Sequence, residues 1–217
     1  MSGFLRDSAE FLPILLLGVK LTILVTVGSL ALSTLLGLVW ALMRVSGVAP
    51  FVWTSKTVVN VIRGIPIIVQ LFYIYFVLPE FGVTLSALQS GVVGLAIAYS
   101  AYQAENFRAG IEAIDHGQVE AAQSIGMGWA LMMRRVILPQ ALRIMLPPYG
   151  NTMIMMLKDS SQASTITVAE LSLQGKLIAS SSFKNMTVFT LVALLYLTMS
   201  VPLIFLVGRL ERRFGRR

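Results

Sequence analysis

The sequence has no cysteine and a single histidine, His116, among its 217 residues. Without cysteine, no disulfide framework and no cysteine metal site can form, and thiols give no information about the compartment. His116 lies between Asp115 and Gly117 in a stretch that is typical of a solvated loop. Because histidine metal sites use several ligands, a lone histidine predicts no metal site.

Recognisable enzyme motifs are also missing. The chain contains no G-x-x-x-x-G-K-[ST] loop that could hold a nucleotide phosphate, so we expect that it does not hydrolyse ATP. It has neither a G-x-S-x-G turn for a nucleophilic serine nor an H-E-x-x-H helix for zinc. The sequence therefore predicts a protein that is not an enzyme.

Charged residues are scarce: they make up 12% of the chain, whereas hydrophobic residues make up 56%. This composition is far from that of a soluble domain and predicts an all-α integral membrane protein. At about 20 apolar residues per span, the length suits a single transmembrane domain, residues 1–217, with about five transmembrane helices. Residues 1–10 carry both signs of charge and are interpreted as an uncleaved lead-in rather than a signal peptide.

Five apolar stretches are candidates for these spans, at residues 12–43, 66–78, 85–100, 144–157 and 188–207. The third is expected to continue as helix to Ile111, and its Ser90 and Gly94 belong to a stripe of small residues suited to close helix packing. A polar segment at about 159–185, predicted to be extracytoplasmic, separates the last two spans. Residues 165–183 within it predict helix and turn, either outside the bilayer or partly re-entrant.

The positive charges, which give the chain a net charge of +7, fall mainly on one side of these spans. With five spans, three regions share that side, and their basic residues are Arg44, Lys56, Arg63, Arg108, Arg134, Arg135, Arg143, Arg209, Arg212, Arg213, Arg216 and Arg217. The opposite side keeps Arg6, Lys158, Lys176 and Lys184. Because basic residues beside spans favour the cytoplasm, the sequence predicts a cytoplasmic central loop and C-terminus and an external N-terminus.

The longest polar-rich stretch follows the third span. Residues 118–125 are rich in helix formers, and Gly126 with Gly128 is expected to end that helix, because glycine tolerates the left-handed conformation. Residues 129–138 restart a helical pattern, which Pro139 is expected to break or to replace by the next helix. The pattern predicts two short helices joined by a turn on one side of the membrane.

Four motifs, in this order along the chain, resemble those of bacterial ABC importer permeases. The spacing of the cytoplasmic EAA loop is matched by Glu120-Ala121-Ala122, Gly126, Val136 and Leu138-Pro139. Val136 stands where the family pattern has isoleucine. Residues 105–111 and 138–141, and Arg63-Gly64-Ile65-Pro66 followed by Gln70-Leu71, are similar to the polar amino acid branch. The resemblance covers about residues 18–214.

This resemblance implies a type I ABC importer permease fold and the role of the membrane-spanning subunit of an ATP-driven importer for polar amino acids. Two permease chains, identical or different, would form the pathway. Two ATP-binding subunits, which hold ATP and Mg²⁺, would bind the coupling loop at about residues 112–141, while this chain binds no cofactor. An extracytoplasmic binding protein would deliver substrate at the bacterial cytoplasmic (inner) membrane. In the loop, Glu120 is expected to add support by hydrogen bonding and Gly126 by its turn.

Other interpretations use the same residues. Composition alone favours a plain interfacial connector for the central loop. An ion-coupled secondary amino acid transporter is the alternative function, although it calls for an intramembrane carboxylate and often an internal repeat, and no clear repeat is present. A membrane scaffold that transports nothing is a third possibility.

Polar side chains in or beside the spans are candidates for the substrate pathway: Gln70, Glu105, Arg108, Asn151, Lys158, Asp159, Ser160 and Ser161. Asp159 would suit the ammonium of an amino acid and Lys158 its carboxylate. Hydrogen bonds between helices, or helix capping, would explain the same residues without a substrate. Glu105 and Arg108 could line a gate or form a local salt bridge, because residues three or four apart share a helix face. The amino acid carried stays open.

Overall fold

The computed structural model describes residues 2–214, so Arg216 and Arg217, which were counted in the predicted cytoplasmic charge cluster, lie outside the described residues. Within the described residues the regular structure is helical throughout, as the sequence predicted. The α-helices are α1 (Ser2–Val45), α2 (Ala49–Gly64), α3 (Ile67–Phe72), α4 (Ala87–Glu112), α5 (His116–Ser124), α6 (Trp129–Met132), α7 (Leu138–Asp159), α8 (Leu171–Ser182) and α9 (Asn185–Phe214). Between them lie two π-turns, Tyr73–Val77 and Met133–Ile137, and two 3₁₀ segments, Leu78–Phe81 and Ser160–Ile166.

The first helix is much longer than its predicted span. α1 has 44 residues, which corresponds to about 66 Å at 1.5 Å per residue. Residues 2–10, predicted as a lead-in distinct from the span, are therefore the first turns of the same helix. Near this end, Lys184, which lies just before α9, places its Nζ 2.5 Å from Asp7 Oδ1 and 6.0 Å from the ring centroid of Phe11.

α2 and the helical run after it form a sharp corner of 99°. Ile65 is extended there (φ −107, ψ 129), because the residue before a proline avoids the helical conformation, and Pro66 follows. The side chain of Gln70 closes the corner from inside: its Nε2 donates to the backbone oxygens of Ile62 and Ile65, both at 2.9 Å. The corner is therefore fixed by local hydrogen bonds.

α4 forms the centre of the bundle and packs along α1. It begins with a capping box between Ser86 and Gln89 and continues to Glu112, which confirms that the helix of the third span continues to Ile111. α1 approaches it closely at Gly37, where an added Cβ would lie 2.7 Å from Gln103 Cβ and 3.0 Å from the backbone oxygen of Ser100. Close approach of small residues is a common way for membrane helices to pack.

Of the two outcomes expected at Pro139, the structure shows the start of the next helix, α7, and not a break in the helical path. Together, α6, the π-turn Met133–Ile137 and α7 make one continuous helical run from Trp129 to Asp159. Pro139 lies at the start of α7, directly after the π-turn. The coupling loop thus joins a membrane helix without a break on its C-terminal side.

Two described helices, Gly3–Val45 and Asn185–Arg213, are long and apolar enough to cross a membrane, and the bent pair Ala49–Gly64 with Ile67–Phe81 would make a third span. The other two of the five predicted spans correspond to α4 and α7. Their lengths of 26 and 22 residues are about 39 and 33 Å, which would cross the roughly 30 Å hydrocarbon core.

Candidate coupling surface and substrate route

The coupling segment, residues 112–141, begins with a capped helix. Asp115 Oδ1 accepts a hydrogen bond of 2.7 Å from the backbone N–H of Gly117 at the start of α5. At the other end Gly126 adopts φ +79, and the N–H of Met127 donates to the oxygen of Ala122 at 3.1 Å. Gly126 therefore ends α5 as predicted, whereas Gly128 (φ −67) precedes α6 instead and caps its start.

One side of the coupling segment is buried in the body of the protein. Six of its apolar side chains enter a buried cluster: Ile114, Ala122, Met132, Met133, Ile137 and Ala141. The rest of this cluster is Ala41 of α1, Phe107 and Ile111 of α4, and Met145 of α7. Val136 and Leu138 of the loop motif pack against the same cluster. Burial of this size holds the segment in one position, since each buried aliphatic side chain contributes about 1.5–3 kcal/mol.

The opposite side presents large apolar residues to the surroundings. Ile125 is 73% exposed, Trp129 54% and Leu131 43%. Glu120 and Ala121 are also exposed. The expected supporting role of Glu120 is not seen: its backbone oxygen accepts from Ser124 Oγ, but among the described residues its carboxylate makes no side-chain hydrogen bond. The carboxylate is therefore available to another molecule.

Glu105 and Arg108 form a chain of ion pairs with Glu112. Arg108 Nη2 lies 2.6 Å and Nε 3.0 Å from Glu105 Oε2, and Nη1 donates to Glu112. The predicted sharing of one helix face is confirmed. The pairs are partly exposed, so their contribution to stability is small. Of the two roles considered for Glu105 and Arg108, a gate and a local salt bridge, this is the geometry of the salt bridge.

The other predicted pathway residues do not converge in one place. Gln70 directs its amide N–H groups into the corner after α2. Asp159 Oδ2 accepts a hydrogen bond of 2.7 Å from the hydroxyl of Tyr99, which ties the end of α7 to the middle of α4. Ser160 is buried and donates to the oxygen of Leu157 at 2.8 Å, and Ser161 is half-buried beside it.

Asn151 and Lys158 do share a site, an open groove of about 460 Å³ between α7 and α9. Asn151 Nδ2 lies 3.4 Å from Glu211 Oε1 across this groove, and Lys158 forms no ion pair among the described residues. The groove therefore carries an amide and charges of both signs. The sequence analysis did not select Glu211. Its position as the only acidic residue within the arginine-rich C-terminal stretch could have drawn attention to it.

A second unanticipated acid, Glu170, is fully buried at the start of α8. Its carboxylate accepts from the backbone N–H groups of Ser172 and Leu173, both at 2.9 Å, and from the hydroxyl of Tyr196 at 2.8 Å. Thr22 Oγ1 accepts from the N–H of Leu171 at 3.2 Å in the same network. The network joins α1, α8 and α9, and burial raises the pKa of Glu170 above its usual value.

The helical architecture and its long apolar helices are those of an all-α integral membrane protein. Comparison with known proteins makes the class specific: the chain belongs to the family of binding-protein-dependent transport system inner membrane components, which matches residues 33–216. It is 40% identical over 195 residues to the probable glutamine ABC transporter permease GlnM of Bacillus subtilis, covering 90% of each chain. It is 37% identical over 204 residues to the glutamine transport system permease GlnP of Escherichia coli K12, covering 93% of each.

Solved structures agree with this assignment. The fold matches that of an amino acid ABC transporter crystallised with histidines, at a TM-score of 0.89 and 39% identity, covering 96% of this chain and 97% of the other. The MetNI methionine ABC transporter in an inward-facing form has the same fold, at a TM-score of 0.74 and 20% identity over 95% and 96% of the chains. The protein is thus an amino acid ABC transporter permease, which is a membrane component of a transporter.

Proposed function

We propose that this chain forms half of the translocation pathway of an ATP-driven importer of polar amino acids, and that the coupling segment binds a separate ATP-binding subunit. The two-sided structure of that segment carries the proposal. One side is fixed in the buried cluster, and the other exposes Ile125, Trp129 and Leu131. Exposed apolar groups on an anchored support are typical of an interaction site rather than of a plain connector.

The remaining parts of the transporter follow from this role. A second permease chain, identical or different, completes the pathway, and two ATP-binding subunits hold ATP and Mg²⁺. An extracytoplasmic binding protein delivers the substrate. The central loop lies in the cytoplasm, as the exposed Arg134 and Arg135 favour. When ATP draws the two partner subunits together, the anchored coupling segments pass that motion to the spans as rigid bodies.

The coupling role is tested by changing Glu120→Lys together with Gly126→Arg in a tagged chain and identifying what co-purifies in mild detergent. Gly82→Arg is the matched control, because Gly82 (φ +82) and Gly126 (φ +79) have the same left-handed backbone and open space where a Cβ would project. Gly82 lies in the turn after the 3₁₀ segment, outside the coupling segment.

An ATP-binding protein should co-purify with the unchanged chain and with the Gly82→Arg variant, and it should be lost from the double variant while the permease stays inserted. ATP-dependent uptake should disappear with it. Uptake that survived the double change would refute the docking assignment. A chain that purifies alone and drives uptake into vesicles without ATP would favour the ion-coupled transporter.

For the substrate we propose the groove between α7 and α9. Its volume of about 460 Å³ is within the roughly 300–1,000 Å³ of small-molecule sites. An amino acid zwitterion needs one partner of each sign, and Glu211 can accept from its ammonium while Lys158 donates to its carboxylate. Asp159, the other candidate for the ammonium, is not among the residues that line this groove, and it accepts a hydrogen bond from the Tyr99 hydroxyl.

Transport of L-glutamine into proteoliposomes with a saturating amount of binding protein tests this route. Lys158→Gln and Glu211→Gln should each lower the transport rate about ten-fold, since a hydrogen bond to a charged group contributes about 1.5–3 kcal/mol. Lys176→Gln, another exposed lysine, is the control and should leave the rate unchanged. Equal rates for all three variants would exclude the groove.

A further inference from the structure

Two separate helical runs in this protein contain the same unusual turn. In the first, the N–H of Leu78 donates to the oxygen of Tyr73, and in the second the N–H of Leu138 donates to the oxygen of Met133. Both bonds span five residues instead of four, which is the π-helical pattern. In both places the next residue is a proline, Pro79 or Pro139.

The chemistry of proline accounts for this coincidence. In a regular α-helix, Pro139 would face the carbonyl of Arg135 four residues earlier, but it has no N–H to donate and its ring presses against that oxygen. A turn closed over five residues just before the proline widens the helix and relieves the contact. Pro79 stands in the same relation to Tyr75.

The wider turn changes which side chains share a face. Met132 and Ile137 are five residues apart, and both are buried in the cluster that anchors the coupling segment. On a regular α-helix, at about 100° per residue, two positions five apart point in directions about 140° from each other. The π-turn brings them onto one side, which leaves Trp129 and Leu131 exposed.

We propose that Pro139 is a positioning residue: it maintains the π-turn Met133–Ile137 and thereby sets which face of the coupling segment is buried and which is presented. Without it, the turn relaxes to α-helix and α6 rotates by about 100° relative to α7. The effect on transport rests on the proposed coupling function, but the rotation itself does not. The rotation can be measured on the chain without its partners.

Because the chain has no cysteine of its own, two introduced cysteines carry the only spin labels. We place them at Ala130→Cys and Arg143→Cys, which are exposed on the two sides of the π-turn, and measure the distance between them in the full-length chain in nanodiscs. Three backgrounds are compared with the unchanged one. They are Pro139→Ala, Pro139→Ala with deletion of the exposed Arg135, and the matched control Pro79→Ala.

Pro139→Ala should change the distance between the two labels. Deleting Arg135 in that background should restore the original distance, because removing one residue from a regular helix turns α6 back to its original orientation relative to α7. Pro79→Ala should leave the distance unchanged. An unchanged distance in Pro139→Ala would show that the buried cluster alone maintains the turn and would overturn the inference. So would a Pro139→Ala shift that the deletion leaves in place.

The amount of ATP hydrolysed per amino acid transported is the second readout. It should rise in Pro139→Ala and return towards the original value when Arg135 is deleted, a recovery that a merely destabilised chain would not show. If the distance shifts and recovers as expected while the ATP consumption stays constant, the positioning of the turn stands and the coupling role of this segment is wrong. The two failures are therefore distinguishable.

Discussion

The carboxylate of Glu170 is buried among three helices and is held there by hydrogen-bond donors. The backbone N–H groups of Ser172 and Leu173 are among the first of α8 and have no partner within the helix, so Glu170 serves as its N-cap. The Tyr196 hydroxyl extends the network to α9. The Glu170 carboxyl group thus fixes the start of α8 to the rest of the bundle.

Replacing Glu170 by alanine should lower the free energy of unfolding by about 2–4 kcal/mol, because it removes a helix cap and leaves the half-buried Tyr196 hydroxyl with Ser172 Oγ as its remaining partner. Glu170→Gln should cost less, since its amide oxygen still accepts. Thermal unfolding of the purified chain in detergent measures both. The exposed Glu80→Ala is the control, and a Glu170→Ala variant as stable as that control would contradict the network's role.

The pH dependence of stability should carry the signature of Glu170. Burial raises the pKa of its carboxyl above the usual 4.5, so the folded state holds the proton more tightly than the unfolded state. The resulting stabilisation is present below the ordinary pKa and is lost as pH rises through the raised one. Unfolding curves from about pH 4 to about pH 8 should show this loss in the unchanged chain but not in Glu170→Gln. Stability profiles that change with pH in the same way in both chains would contradict the raised pKa of Glu170.

The sequence showed which polar residues lie in or beside the spans, but it did not show their hydrogen-bond partners. Gln70 and Asp159 were recognisable as polar groups near spans, but the oxygens of Ile62 and Ile65 and the hydroxyl of Tyr99 become their partners only through the corner and the α4–α7 packing. Glu170 could not be recognised from the sequence, because an acidic residue in a polar segment is normally interpreted as solvated.

At the scale of elements, helix ends were predictable where one residue determines them. Gly126 ends α5 because its left-handed backbone favours glycine, and this follows from local sequence. The run from Trp129 to Asp159 was not predictable as one helix. Proline normally signals a break, and the π-turn that accommodates Pro139 depends on burial of Met132 and Ile137 in a cluster formed by distant elements.

The packing of α1 on α4 should be sensitive to a single methyl group at Gly37. A Cβ there would lie 3.0 Å from the backbone oxygen of Ser100 and 3.1 Å from the backbone nitrogen of Ala104, which cannot move aside as side-chain tips can. Gly37→Ala should therefore lower the free energy of unfolding by about 1–3 kcal/mol, although alanine favours helix.

Thermal unfolding in detergent checks this prediction against Gly208→Ala. Gly208 also lies in a helix, but its nearest neighbour to an added Cβ is a flexible Arg212 atom at 3.9 Å. The control variant should be as stable as the unchanged chain or more stable. A Gly37→Ala variant that matched the control would show that the two helices can separate at no cost.

For the whole molecule, composition predicted the helical membrane class, and the family motifs agreed with it. The number of spans was harder to obtain from apolar length, because among the described helices only α1 and α9 are each long and apolar enough to cross a membrane alone. α4 and α7 carry polar side chains, and they pair with each other: Tyr99 with Asp159, and Asn106 with Thr152 at 3.0 Å. Polar groups that are satisfied between helices can lie within a membrane protein.

The distribution of basic residues predicts the orientation of the whole molecule, and single cysteines can test it because the chain has none of its own. Phe183, before α9, and Ile125, in the coupling segment, are among the most exposed side chains and lie on opposite sides of the predicted bilayer. In intact cells a membrane-impermeant maleimide should label Phe183→Cys. It should label Ile125→Cys only after the inner membrane is permeabilised, because the arginines beside that segment favour the cytoplasm. The reverse labelling pattern would show that the orientation is the opposite one, in which no cytoplasmic ATP-binding partner could reach the coupling segment. Labelling of both cysteines in intact cells would place both segments outside and contradict an odd number of spans between them.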